Sequence, residues 1–387
     1  MWYFSTPLVV FGDDALSHLE TLPARRVMIV TDAFLADSAM FRQVRARLEA
    51  ARVPVSVFAD VQPEPDLETV RRCAAALTAA QPDWIIGLGG GSVLDAAKAA
   101  WALYERPDID PAGISPMETF GLRARARLIT IPTTSGTGSE ATWAAVLTDA
   151  QEKRKLSVAT RELLADVAIV DPALAMTLPP SLTVLTGLDA LTHAIEAFSS
   201  AWANDFADGP SLKAAQLIFT YLPRVAADGA DAEAREKMHN AATLAGIALS
   251  NSQVALAHAL GHSVGALFGL PHGRAVSVAL PYTLEYNINA GVGRYLDLAR
   301  FIGLAVTSEA EAGPALAEAF RELLRRLGQP LSYAGCGVPR DAFQAELEAL
   351  CDRADLDANL VASRRLPDRA EMRRLFECAY EGKNVDF

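Results

Sequence analysis

Residues Trp84-Ile85-Ile86-Gly87-Leu88-Gly89-Gly90-Gly91-Ser92-Val93-Leu94-Asp95-Ala96-Ala97-Lys98 join an apolar run, a glycine cluster and the start of an alanine-rich segment without a break. The run 84–88 is short, rich in isoleucine and bounded by glycine, which reads as a buried strand. Alanine and leucine at helical spacing over 93–103 read as a helix, so the glycines must turn one element into the other. The same alternation lies upstream: 27–31 reads as a strand before a helix over 41–51, and 55–58 as a strand before a helix over 67–80. Downstream, 128–131 and 167–170 read as further strands, ended by Pro132 and by the turn pair Asp171-Pro172. Strands separated by single helices need crossover connections, and those build a parallel sheet.

After Pro179-Pro180 the texture changes to alanine and leucine at helical spacing, as over 211–221, 232–248 and 315–327. The expected fold is therefore an α/β N-terminal domain with a parallel sheet over residues 1–180, followed by an all-helical C-terminal domain over 181–387. The Pro- and Asp-rich stretch 106–120 reads as a surface excursion between a helix and the next strand.

With 387 residues, 51% of them hydrophobic and 21% charged, the chain can bury the cores of two ordinary domains. Its formal net charge is −12 and no stretch gathers Lys and Arg without acidic neighbours, which argues against a nucleic-acid partner or an anionic membrane surface. Small molecules are the expected partners. The four cysteines form no C-x-x-C pair and are too sparse for a disulfide framework, so a reducing compartment fits. Residues 1–10 lack a basic segment followed by a long apolar run, and no later apolar run approaches the ~20 residues of a membrane span. The expected location is the cytoplasm.

Glycines Gly89, Gly90 and Gly91 with Ser92 stand between strand and helix, where backbone can approach a phosphate and the helix start offers free N–H groups. A pyrophosphate fits; so does a plain turn capped by Ser92, with Asp95 three residues on as its capping-box partner. The loop Pro132-Thr133-Thr134-Ser135-Gly136-Thr137-Gly138-Ser139-Glu140 carries hydroxyls able to meet a cofactor's amide, ribose or phosphate groups. Asp32, just past the strand 27–31, can accept from a ribose diol and repel a 2′-phosphate, favouring NAD over NADP, or it can simply start a turn. Lys155 lies over the cofactor or is one more solvated charge in Glu152-Lys153-Arg154-Lys155.

In the helical half, Asp189 and His193 are four apart, a spacing that stacks both on one helix face. His258 and His262 repeat it, and His272 follows in Leu270-Pro271-His272-Gly273. Only His18 and His239 lie outside these segments, among polar residues, and both read as solvated. One carboxylate with three imidazoles suits Fe2+, Zn2+, Mn2+ or Co2+.

Together, Gly89-Gly90-Gly91-Ser92 with Asp95 and Lys98, the 132–140 loop, Gly187-Leu188-Asp189-Ala190 with His193, and the run from His258 to Pro271-His272-Gly273 closely resemble the iron-containing (group III) alcohol dehydrogenase family. The resemblance spans nearly the whole chain, in order and with matching spacing. It implies Asp189, His193, His258 and His272 as ligands of a divalent metal, iron foremost and zinc second. It implies His262 as a proton relay beside the nicotinamide, Gly89 to Ser92 on the pyrophosphate, and Thr133, Thr134, Thr137 and Lys155 along the cofactor cleft. Asp32 matches the position that faces the adenosine ribose in members using NAD. One departure is Arg274-Ala275-Val276-Ser277, where many members carry an Asn; it bears on pocket polarity and substrate identity.

The implied activity is metal-dependent hydride transfer between a primary or small alcohol, or a diol, and NAD(P), in a homo-oligomer. A hydroxyacid-oxoacid transhydrogenase, or an NAD-using lyase or cyclase like the dehydroquinate synthases, shares the same superfamily; a scaffold with incidental histidines would hold no stoichiometric metal. Phe120, Trp143, Phe198, Trp202, Phe268 and Tyr282 are open between pocket and core.

Overall fold

A computed structural model describes residues 3–149 and 154–387, with the backbone alone at 149, 154 and 155. It divides into two compact units, Ser5–Leu178 and Pro179–Phe387, the second joined by Tyr3 and Phe4.

The first unit is built on six parallel strands: β1 (Leu8–Phe11), β2 (Val27–Val30), β3 (Val55–Phe58), β4 (Trp84–Gly89), β5 (Arg127–Pro132) and, after a separate hairpin, β8 (Val167–Val170). The hairpin is the antiparallel pair β6 (Ala144–Asp149) and β7 (Arg154–Ala159). The large sheet runs β1-β8-β5-β4-β2-β3. Every residue of β2, β4 and β8 is buried, as expected where helices cover both faces of a parallel sheet. Alternation sorts the side chains: Met28, Val30, Ile85 and Leu128 enter one core, while Val27, Ile29, Trp84, Ile86, Ile129 and Ile131 enter the other.

Helices α1 (Ala33–Ala36), α2 (Ala39–Ala50), α3 (Leu67–Ala80) and α4 (Gly91–Glu105) complete the unit. From α3, Val70, Cys73 and Leu77 cover the first face with Ala96, Ala97 and Trp101 of α4; Phe41, Val44 and Leu48 of α2 cover the second. The alanines let α4 lie close to β4, where a Cβ on Gly87 would stand 3.1 Å from that of Ala97.

Two expectations are revised here. Helix α4 starts at Gly91 with Gly90 as its N-cap, so Ser92 is no cap: its Oγ accepts from the Glu64 N–H (3.3 Å), and Asp95 accepts from Ser139 Oγ (2.6 Å) and Val146 N (2.9 Å). The excursion 106–120 is partly interior, because Ile114 and Phe120 turn back into the core. β1 and the β6–β7 hairpin had no sequence reading at all.

The second unit holds α5 (Pro180–Ser199), α6 (Asp205–Ala227), α7 (Ala232–Ser252), α8 (Leu256–Phe268), α9 (His272–Asn289), α10 (Leu296–Phe301), α11 (Glu309–Arg326), α12 (Arg340–Asp355) and α13 (Arg369–Glu381) around one core. Glycines set its closest approaches. A Cβ on Gly273 would run into the carbonyl oxygen of Leu185, and one on Gly261 would stand 2.7 Å from Cα of Val276. Thus α9 packs on α5 and on α8 at backbone contact. Among the described residues no helix is long and apolar enough to cross a membrane.

Candidate active site

Helix α5 carries Asp189, His193 and Glu196 on one buried face, at i, i+4 and i+7. Helix α8 carries His258 and His262, and His272 is the first residue of α9, fixed behind Pro271. Among the described residues, one ligand atom each from Asp189, His193, His258 and His272 falls within 4.8 Å of the others. Oδ1 of Asp189 lies at the centre, 3.1 Å from Nε2 of His272, 3.6 Å from that of His193 and 4.0 Å from that of His258. Ligands about 2.0–2.1 Å from a tetrahedral ion stand about 3.3 Å apart, so the spacing suits a small divalent cation.

Electrostatics agree. Asp189 Oδ1 and His258 Nε2 are buried with no hydrogen-bond partner, an arrangement that is expensive unless something joins them. Burial alone would raise the Asp189 carboxyl, but the imidazoles of His193, His272 and His258 outweigh it and hold the group far below the carboxylate range. Burial pushes His193 down to about 4 and, with the neighbouring His272 and His262, takes His258 well below its ordinary value. An ionised carboxylate beside neutral rings is the state in which these groups bind metal.

Glu196 is the functional residue that the sequence reading missed. Its Oε2 lies 2.6 Å from Nδ1 of His258 and its Oε1 accepts the Ala257 N–H at 2.6 Å. Helix α8 starts at Leu256 behind Ala255, an N-cap residue with no side chain to cap it, so Glu196 supplies that cap from α5 while orienting His258. Burial pushes its carboxyl up to about 7. The i+7 spacing from Asp189 was the available signal.

His262 does not join the four-atom group. Its ring stacks on His272 at 5.2 Å between centroids, stands edge-on to His258 at 5.6 Å, and places Nδ1 2.7 Å from Oδ2 of Asp357.

In the first unit, the carboxyl ends of neighbouring strands β2, β4 and β5 lead into Asp32, Gly89 to Ser92 and the Thr133 to Thr137 loop, where open α/β sheets bind ligands. No side chain caps α4, whose first turn opens toward the Thr-rich loop. A Cβ on Gly91 would meet Thr137 Cγ2 at 2.7 Å and one on Gly90 would meet Thr134 Cγ2 at 3.2 Å, so the glycines and threonines form a narrow cradle. Thr133 is tied in through its N–H to Gly89 O (3.0 Å). Lys98 locks the loop from beneath: fully buried, it donates to Ser139 Oγ (2.9 Å), Thr142 Oγ1 (3.0 Å) and the carbonyls of Ser139 and Ala144. Asp32 uses Oδ1 to cap α1 at Leu35 N (2.8 Å), so it does start a turn. Lys155 lies on β7, and its side chain falls outside the described residues.

His239 is not solvated. It is 1% exposed within α7, because the polar residues beside it in sequence point elsewhere on the helix; His18 is half-buried. Phe120, Phe198 and Tyr282 are core side chains, and Arg274 turns its Nε to Gln329 Oε1 (3.3 Å).

Residues 6–172 match the family described as iron-containing alcohol dehydrogenase, and residues 183–380 match the C-terminal domain of the same family. The chain is 36% identical over its full length, and over the full length of the relative, to an NADPH-dependent butanol dehydrogenase of Clostridium saccharobutylicum. It is 37% identical to an aldehyde-alcohol dehydrogenase of Streptococcus pneumoniae, using 96% of this chain but 45% of that protein. Among solved structures, a 1,3-propanediol oxidoreductase superposes with a TM-score of 0.91 at 30% identity, covering 98% of this chain and all of the other. The sulfoacetaldehyde reductase of Bifidobacterium kashiwanohense in complex with NAD+ gives 0.86 at 28% identity, covering 98% of each.

Proposed function

The chain belongs to the iron-containing alcohol dehydrogenase family, and on that premise we propose that it interconverts a primary or small alcohol, or a diol, and its aldehyde at a metal held by Asp189, His193, His258 and His272. The observation carrying this reading is the convergence of those four ligand atoms within 4.8 Å, two of them buried and unpartnered. A divalent ion there, iron first and zinc second, supplies Lewis acidity toward the alcohol oxygen, while NAD(P) supplies the hydride acceptor.

The protein's own groups do the rest. Glu196 holds His258 so that Nε2 faces Asp189. His262, 28% exposed at its side chain and outside the ligand set, takes the proton the alcohol loses and passes it to solvent. Gly89, Gly90, Gly91 and Ser92 receive the pyrophosphate at the uncapped start of α4, and Thr133, Thr134, Thr137 and Lys155 line the cofactor. Asp32 keeps one carboxylate oxygen outside its capping bond, which supports NAD over NADP. In this reading residues 1–180 bind the dinucleotide and 181–387 hold the metal. Homo-oligomeric assembly in the cytoplasm belongs to it too, supported by the edge strand β1 with Leu8 and Phe11 exposed and by four thiols free of disulfides.

Elemental analysis of protein purified without oxygen, paired with a screen of short alcohols and diols against NAD+ and NADP+, tests the proposal. One equivalent of metal per chain and net reduced dinucleotide from an added alcohol are expected, both lost in Asp189→Ala. Turnover that survives stripping of the metal would overturn it.

A further inference from the structure

We infer that Asp357 is a positioning residue for His262, holding the ring in the tautomer whose Nε2 carries the lone pair that accepts the alcohol proton. The inference rests on the reading of His262 as the proton-handling group. It starts from an ion pair with no trace in the sequence: Asp357 Oδ2 and His262 Nδ1 stand 2.7 Å apart although 95 residues separate them.

Asp357 follows α12, and its side chain is 13% exposed. Its second oxygen, Oδ1, accepts the Asn359 N–H at 2.9 Å, so the carboxylate cannot swing. Burial pushes its carboxyl up, but the bond and charge of His262 outweigh that, with the Asn359 N–H adding to them, and the group stays below its ordinary value. An ionised carboxylate only accepts, hence Nδ1 of His262 must donate and Nε2 is left unprotonated in the neutral ring. Free imidazole prefers the opposite tautomer only weakly, so one fixed acceptor suffices to decide it.

The neighbourhood supports a chemical purpose. Glu196 likewise stands 2.6 Å from Nδ1 of His258, whose Nε2 faces Asp189. At His262 the same device acts on a ring that is not a ligand and that reaches solvent. A purely structural histidine does not need its second nitrogen kept vacant and accessible. The step balances: the alcohol O–H proton moves to Nε2, hydride leaves the carbinol carbon with its electron pair for the dinucleotide, and the C=O bond forms. The resulting imidazolium keeps Nδ1–H on the Asp357 carboxylate, where its positive charge is stabilised, until Nε2 gives the proton to water.

The test combines kinetics with 15N NMR of histidine-labelled, metal-free protein, in which His262 is identified by the signal lost in His262→Gln. In the parent protein the His262 ring is expected as the Nδ1–H tautomer. Asp357→Ala and the near-isosteric Asp357→Asn should shift it toward Nε2–H, keep metal content at the parent value, and lower kcat roughly 100-fold or more with KM for the alcohol little changed. A kcat that falls without any change of tautomer, or with loss of metal, would overturn the inference, as would parent-like kcat in both Asp357 variants while His262→Gln is impaired. Full turnover in His262→Gln would instead remove the relay reading itself, and the NMR arm alone would then show whether Asp357 sets the ring.

Discussion

His239 shows how a single side chain links fold to solution behaviour. Burial in α7 pushes it from 6.5 down to about 4, so between those values the unfolded chain binds a proton that the folded chain refuses. Stability should therefore fall as pH drops through that window and level off beneath it, by at most about 1.4 kcal/mol per pH unit. His239→Gln should flatten this slope, as read by urea unfolding of metal-loaded protein at about pH 7 and about pH 5. In the sequence His239 sits in Lys237-Met238-His239-Asn240 and looks wet; only the helix rotation, which turns it inward with Met238 and Ala242, says otherwise. Asp189 and His193 stand one turn apart on α5, a local rule the sequence displays, whereas tertiary packing alone brings His258 of α8 and His272 of α9 beside them. Glu196 follows the same rule one turn on, and Asp357 follows none, since its partnership is made by tertiary packing alone.

Elements were legible where periodicity acts over many residues. β4 and α4 announce themselves by an apolar run, glycines and an alanine-rich face, whereas neither β1 nor the strands of the β6–β7 hairpin lead into an α-helix that would mark them by strand–helix alternation. The start of α4 was misplaced because Ser92 and Asp95 have the right types for a capping box; Asp95 instead serves Ser139 and Val146. That places the burden of the α4 start on glycine. Gly91→Ala brings a methyl to 2.7 Å from Thr137 Cγ2, and the threonine must move to admit it. Dinucleotide affinity should drop roughly tenfold or more, about 1.4 kcal/mol, with metal content unchanged; titration calorimetry with NADH checks the first half and elemental analysis the second.

At the scale of the molecule, two separate sets of cores predict two separable responses. Helices α5, α8 and α9, which pack into the C-terminal core, carry every proposed ligand, and the elements of the parallel-sheet unit carry none. Chelation should therefore lower the calorimetric transition of residues 179–387 by roughly 10 °C while the sheet's own transition stays in place; a uniform shift of both would count against the assignment. The change of texture past Pro180 made the helical half legible, but not the glycine contacts of α9 with α5 and α8, which depend on how whole helices cross. Those contacts reach beyond packing. Where main chain already touches main chain, a single added methyl on Gly261 or Gly273 would have to pry the helices apart and carry the imidazoles with them. The proposed pocket thus depends on hydrogen atoms of two residues outside the ligand set.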